Sequence, residues 1–322
     1  VEELQNSLPK PVPAMAMTDQ QQTADINLAI RGAAHQRGDL VPRGVLQVAS
    51  SQPFPPLADG HSGRRELAAW IADQDNPLTA RVIVNRVWYW LIGRGLVSSV
   101  DNFGTMGQPP SDPELLDHLA SSFVQDGWTI KRLIRRIVTS RTYQQSSYVR
   151  ESMKLIDPEN RMLWRMNRKR LRAEDIRDSL LLIAGQLDLR HGGSNIKPGT
   201  KSEYGYQFTS HRRSVYVPVF RNTLPEIFEV FDFADPNIQR GDRSSSTVSS
   251  QALLMMNHPF VIDQARNAAR QLADVPNLDD DERIKQVYLQ VIGRPPSDVE
   301  MQIALDLISA TDNNGSNGDR SD

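Results

Sequence analysis

Apolar residues return every three to four positions along most of this chain, which predicts a mainly α, multi-helix globular domain. The densest case is residues 76–97, where only Asn85 and Arg86 are strongly polar between Val82 and Ile92. Asn76 suits an N-cap, Pro77 the first helical position, and Gly93 the position past the end. At 100° per residue the apolar side chains cover nearly the whole circumference, so this helix is expected to be buried on most sides. Arg81, Asn85 and Trp88 share one stripe of it. A buried Arg or Asn must find partners, which constrains the surroundings.

Elsewhere the period changes. Residues 25–31 alternate and predict a short strand, 32–39 a turn, and 40–48 a returning strand placed at an edge by Pro42. Helices are expected at 63–73 (Leu67, Ala68 and Ile71 inward), at 111–126 from a capping box opened by Ser111, and at 130–138 with Arg132, Arg135 and Arg136 outward. Between the buried helix and 111 lies a long loop with Gly93, Gly95, Gly104, Gly107, Pro109 and Pro110, and such loops are often functional. A short helix is expected at 157–164. Another, at 172–188, should bury Ile176, Leu180, Ile183 and Leu187 on one face and Leu181 and Leu182 on the other. Residues 189–211 read as a loop or hairpin packed by Tyr204, Tyr206 and Phe208, and 212–219 as a strand, the second minor β element. Helices follow at 222–231, 248–256, 259–273, 281–292 and 297–310. The implied organisation is a polar, Pro-rich linker or surface arm at 1–23 and a single helical domain at 24–310. That domain could subdivide into 24–188 and 212–310. A disordered Asn/Gly/Ser/Asp tail occupies 311–322.

Charge sharpens this picture more than composition does. The chain of 322 residues carries a net charge of -2 and no cysteine, which excludes disulfides, thiolate metal sites and covalent haem within it. Arginine supplies 30 of the 37 basic residues, and arginine favours planar, partly buried ion pairs. From 128 to 177 there are 14 Lys/Arg against 5 Asp/Glu, and from 222 to the end 8 against 17. Basic and acidic parts are therefore expected to be solvated or to face one another. Nucleic acid is a disfavoured partner, because no aromatic residues interleave the basic helix face for stacking. No run approaches a membrane span, and no secretory leader follows Val1-Glu2-Glu3. The chain reads as a piece of a longer protein.

Signatures of known chemistry are missing: there is no phosphate loop, no nucleophile elbow and no paired histidines at metal-ligand spacing. The catalytic residues are therefore unknown, and neither a metal nor a cofactor is expected on this chain. A candidate polar cluster comprises Arg81, Asn85, Arg86, Asp101, Asn102, Arg170, Glu174, Arg177, Asp178, Arg213 and Arg243. Glu174 and Asp178 lie four apart on one helix face, so they need cations nearby or one must hold its proton.

A family resemblance appears in Leu67-Ala68-x-Trp70, Asn76-Pro77-Leu78-Thr79-Ala80-Arg81-Val82, Asn85-Arg86-Val87-Trp88 and Gly93-Arg94-Gly95-Leu96-Val97. It continues in Asp101-x-Phe103-Gly104, Pro113-Glu114-Leu115-Leu116-Asp117, Ser140-x-x-Tyr143, Arg170-Leu171-x-Ala173-Glu174, Arg177-Asp178, Phe231-Asp232, Gln251-Ala252-Leu253 and Gly293-Arg294-Pro295-Pro296. Together these resemble the C-terminal domain of unknown function of large planctomycete proteins. The resemblance implies an exported, extracytoplasmic protein, periplasmic or at the cell surface, whose preceding domains are the partners and carry a c-type haem. It supplies no reaction.

Two functions follow. One is an accessory or binding module, engaging polysaccharide or a partner domain. The other is a carbohydrate-active enzyme using Asp101, Glu174 or Asp178 as acid/base groups with Arg clamps on the substrate. They part on whether those carboxylates line an open pocket or are sealed against arginines.

Overall fold

A computed structural model describes residues 16–19, 22–50, 52–58, 60–243 and 245–315. The chain is 44% helical, with twelve helices and a single two-stranded sheet among the described residues. It divides between Arg168 and Lys169 into two units. That division falls in the basic run 165–172, and residues 189–211 lie inside the second unit.

In the first unit, β1 (Ile26–Ala29) and β2 (Arg37–Val41) pair antiparallel, with Ile26 opposite Val41 and a bulge before Ala29. The second strand starts before the expected turn has ended, and stops at the residue before Pro42. The helices are α1 (Arg64–Ile71), α2 (Thr79–Ile92), α3 (Pro113–Gln125), α4 (Ile130–Val138), α5 (Arg141–Gln144) and α6 (Glu151–Ile156). α2, α3 and α4 enclose the core: Val84, Val87, Trp88 and Ile92 meet Leu116, Leu119, Phe123, Leu133 and Ile137. The expected burial of α2 holds. Its start is fixed by Asn76, whose Oδ1 accepts from the amides of Leu78 and Thr79, and its end by Gly93 in the left-handed region.

Three expectations shift. Asp112, not Ser111, caps α3 by accepting from the Leu115 amide. Leu67, Ala68 and Ile71 of α1 are exposed, while the neighbouring Trp70 is half-buried and anchored by its indole N–H to Ser50. Residues 157–164 form turns, because the Asp157 carboxylate takes the amides of Arg161 and Met162 out of any helical ladder. The helix of this region is α6, just upstream.

The second unit holds α7 (Ala173–Ile183), α8 (Glu226–Val230), α9 (Ser249–Asn257), α10 (Pro259–Ala273), α11 (Asp280–Val291) and α12 (Asp298–Gly315). Its core joins Ala173, Val217, Ile227, Phe228, Phe231, Leu254 and Val261. On α7 the most buried stripe is Ala173, Arg177 and Leu181. Ile176 and Leu180 are half-buried, and Leu182 is exposed against expectation. The helix is shorter than expected and gives way to Gly185 at φ +63°. The expected hairpin and strand over 189–219 are replaced by a single bridge, Asp188 to Arg212, and a 3₁₀ turn at Ser214–Tyr216. Asn222 bonds Glu203 instead of capping a helix. The last four helices fall within two residues of their expected starts. α12, however, runs to Gly315, into the segment expected to be a disordered tail. Residues 316–322 of that tail, and 1–15, 20 and 21 of the expected arm, lie outside the described residues.

Candidate functional site

The eleven nominated residues divide between the units. Five belong to the first, and they frame the loop after α2. Asn85 is 0% exposed, and its carboxamide makes a reciprocal pair with Val97, accepting from the amide at 2.9 Å and donating to the carbonyl at 3.0 Å. A Cβ at Gly95 would stand 2.9 Å from the Asn85 carboxamide and 2.4 Å from the Val97 carbonyl, so only glycine lets the chain pass. This explains why the motif that holds Asn85 and the motif that holds Gly95 occur together.

The loop then closes on itself. Asn102 Oδ1 accepts from the Gly104 amide, the Ser99 hydroxyl donates to the Asn102 carbonyl, and the Gln108 amide donates back to Ser99. A Cβ at Gly107 would sit 2.1 Å from the Asn102 carbonyl, so this position is also closed to side chains. Asn102 is therefore a turn-former. Arg86 pairs with Asp101 at 3.1 Å on the surface. Arg81 donates from Nε to Asp117 and from Nη1 to the Pro77 carbonyl, each at 2.6 Å. The hydrogen bond from Arg81 holds the Asp117 carboxyl below its ordinary range.

These elements leave a groove of about 510 Å³. Pro77 and Leu78 form one wall and Phe103, Gln108, Pro109 and Pro110 another, with Arg81 and Asp117 among the lining groups. Phe103 is half-buried and packed on the core beneath. A second hollow, of about 410 Å³, lies where Asp19 pairs with Arg64 and Asp25 with Arg43.

The second unit gathers the other six candidates differently. Arg177 is 4% exposed and donates to the carbonyls of Ser210 and Arg212 and to the Ser214 hydroxyl. Burial lowers the pKa of its guanidinium, opposed by the nearby Asp178 carboxylate. Asp178 accepts from the Ser214 amide at 2.7 Å and its hydroxyl at 2.6 Å. Arg243 reaches both Glu174 oxygens, at 2.7 and 2.8 Å, while its guanidinium lies over the Phe233 ring. Arg170 donates to Ser246, Thr247 and the Gln251 carboxamide. The buried Gln251 is fully used, since its nitrogen donates to the Val230 carbonyl. Ser246 is held in turn by Asp232. Arg213 is exposed and stands apart from these bonds. The network ties the loops at 210–216, 232–243 and 245–247 onto α7 and α9.

Among the described residues no three His, Asp or Glu side chains converge closely enough to hold a metal ion, and no described helix is long and apolar enough to cross a membrane. The sequence reading missed Asp117, Gln108, Ser214, Asp232 and Gln251 as site members. Asp117, Asp232 and Gln251 each stand in a motif of the resemblance, and that was the usable signal.

Comparison with known proteins agrees with those motifs. No curated protein and no solved structure matches the chain. The model of a family described as PSD1, protein of unknown function (DUF1553), matches residues 63–308, and the chain belongs to that family.

Proposed function

We propose that this chain is a binding module of a larger exported protein, engaging polysaccharide beside the domains that precede it. On this reading the protein works outside the cytoplasm, and any c-type haem sits on a preceding domain. The supporting observation is the state of the carboxylates. A general acid or base must reach the proton it transfers. Glu174 is closed against Arg243, Asp178 against Ser214, and Asp101 is paired with Arg86. Glu174 and Asp178 are thus engaged within the fold and Asp101 in a surface ion pair, which supports the module reading over the enzyme reading.

The test is co-sedimentation of the chain with insoluble polysaccharides, followed by a reducing-end assay on the same samples. Binding without release of new reducing ends is expected. Release that rises with enzyme concentration and disappears in Glu174→Gln would restore the enzyme.

A further inference from the structure

We infer that the groove between α2, α3 and the 103–110 loop is a binding site for a neutral saccharide chain, with a sugar ring against Phe103 and its hydroxyls on Arg81, Asp117 and Gln108. The inference rests on the polysaccharide reading and narrows it to a site and a ligand class.

Four hydrogen-bonding groups line this groove without being used inside the protein. Among the described residues, Arg81 Nη2, the second Asp117 oxygen, the Thr105 hydroxyl and the Gln108 carboxamide enter no hydrogen bond, while the other Arg81 nitrogens and the first Asp117 oxygen are fixed. A spare donor and a spare acceptor therefore sit side by side on a held pair. A hydroxyl donates and accepts at once, so vicinal hydroxyls match this pair. Arg81 and Asp117 cancel each other's charge at 2.6 Å. A uronate or sulfate ester would face the Asp117 carboxylate, and an amino sugar would face Arg81, so a neutral chain is favoured.

The apolar part of the groove suits the other side of a sugar. Phe103 offers a ring fixed by the core, and the C–H face of a pyranose is apolar. Pro77, Pro109 and Pro110 and the self-bonded 99–108 loop make the walls stiff, so little ordering is required on binding. An extended peptide fits less well. Peptide grooves pair backbone along a sheet edge or line up aromatic residues, and this groove offers a single ring and no strand.

The test is calorimetric titration of the chain with neutral hexasaccharides (β-glucan, xylan and mannan series) and with alginate and polygalacturonate oligomers. The variants are Phe103→Leu, Asp117→Ala, Gln108→Ala and, away from the groove, Arg213→Ala. Phe103→Leu keeps an apolar anchor under the loop while removing the ring, and circular dichroism checks each fold. At least one neutral series is expected to bind, weakened about tenfold in Phe103→Leu and Asp117→Ala, less in Gln108→Ala, and not in Arg213→Ala. Neutral binding untouched by every groove variant would overturn the site and leave the module reading standing. Tighter binding of the acidic oligomers would overturn the neutral class. A chain that binds no saccharide overturns both this inference and the module reading. A proline-rich decapeptide that binds and is lost in the same variants would replace the saccharide with a peptide.

Discussion

The polar groups around α7 and those beside α2 are built from the same residue types and are spent differently. Around α7, Arg177, Glu174, Asp178, Arg170 and Gln251 all find partners inside the protein, and Arg177 caps two backbone carbonyls from a buried position. Beside α2, the ion pairs Arg81–Asp117 and Arg86–Asp101 are open to solvent, and Asp117 is 54% exposed. Burial decides the case of Arg177, whereas the Arg243 and Arg86 side chains are each 30% exposed. A guanidinium removed from water must satisfy its donors within the fold, whereas one at the surface can keep some for a ligand. Arginine richness therefore marks a structural clasp in one unit and a groove rim in the other.

Stability measurements can break this contrast. The largest effect is expected for Arg177→Ala, which leaves the Ser210 and Arg212 carbonyls without their partner and removes the ion pair with Asp178. Asp178 keeps its two bonds from Ser214. The variant should cost about 3–5 kcal/mol in urea unfolding, and a cost below about 1 kcal/mol would place Arg177 outside the clasp. Asn85→Ala comes next. It strands the buried amide and carbonyl of Val97 and should cost about 2–3 kcal/mol. Hydrogen exchange at Val97 checks it and should speed up in the variant. Asp178→Ala and Glu174→Ala each remove charge-assisted hydrogen bonds from half-buried partners, for about 1.5–3 kcal/mol apiece. Two variants as stable as the parent would dissolve the network. Asp117→Ala should change stability by less than about 1 kcal/mol, as exposed pairs do.

The smallest effect concerns pH. Arg190 hydrogen bonds hold Asp188 at about 2, and Arg294 with Ser297 holds Glu300 at about 2. Both folded values lie below the ordinary 3.8 and 4.5. The folded carboxyls thus bind protons more weakly than the unfolded ones. Their contribution is complete above about pH 5 and is lost as pH falls towards 2. A carbon-detected titration of the two carboxyls should show midpoints near pH 2. Midpoints near 4 would mean that these ion pairs are not formed in solution.

Much of the helical architecture could be read from periodicity. α2, α3, α4 and the last four helices announce themselves by apolar spacing and caps, and α2, α3 and α4 do so most clearly because each buries a stripe against its neighbours. Legibility fails where polar side chains divert the backbone. Asp157 turns 157–162 by binding two amides, and Arg212 holds the 190–194 loop by donating to the carbonyls of Arg190, Gly192 and Ser194. No hydrophobic period reports such bonds. Apolar alternation announced β1 of the β1–β2 hairpin, although Ile26, Leu28 and Leu40 are exposed. The polar cluster was legible as a list and not as an arrangement. Glu174 finds Arg243 across 69 positions, a separation that no local spacing encodes. The groove was hidden because prolines and glycines, which signal only a loop, form much of its walls.

The most direct test sets the two regions against each other in one titration series: the affinity for the bound neutral hexasaccharide in Asp117→Ala and in Glu174→Ala, each above its folding threshold. An open groove and a closed clasp predict about a tenfold loss in Asp117→Ala and parental affinity in Glu174→Ala. Parental affinity in Asp117→Ala with loss in Glu174→Ala would contradict the assignment and move the binding site to the clasp.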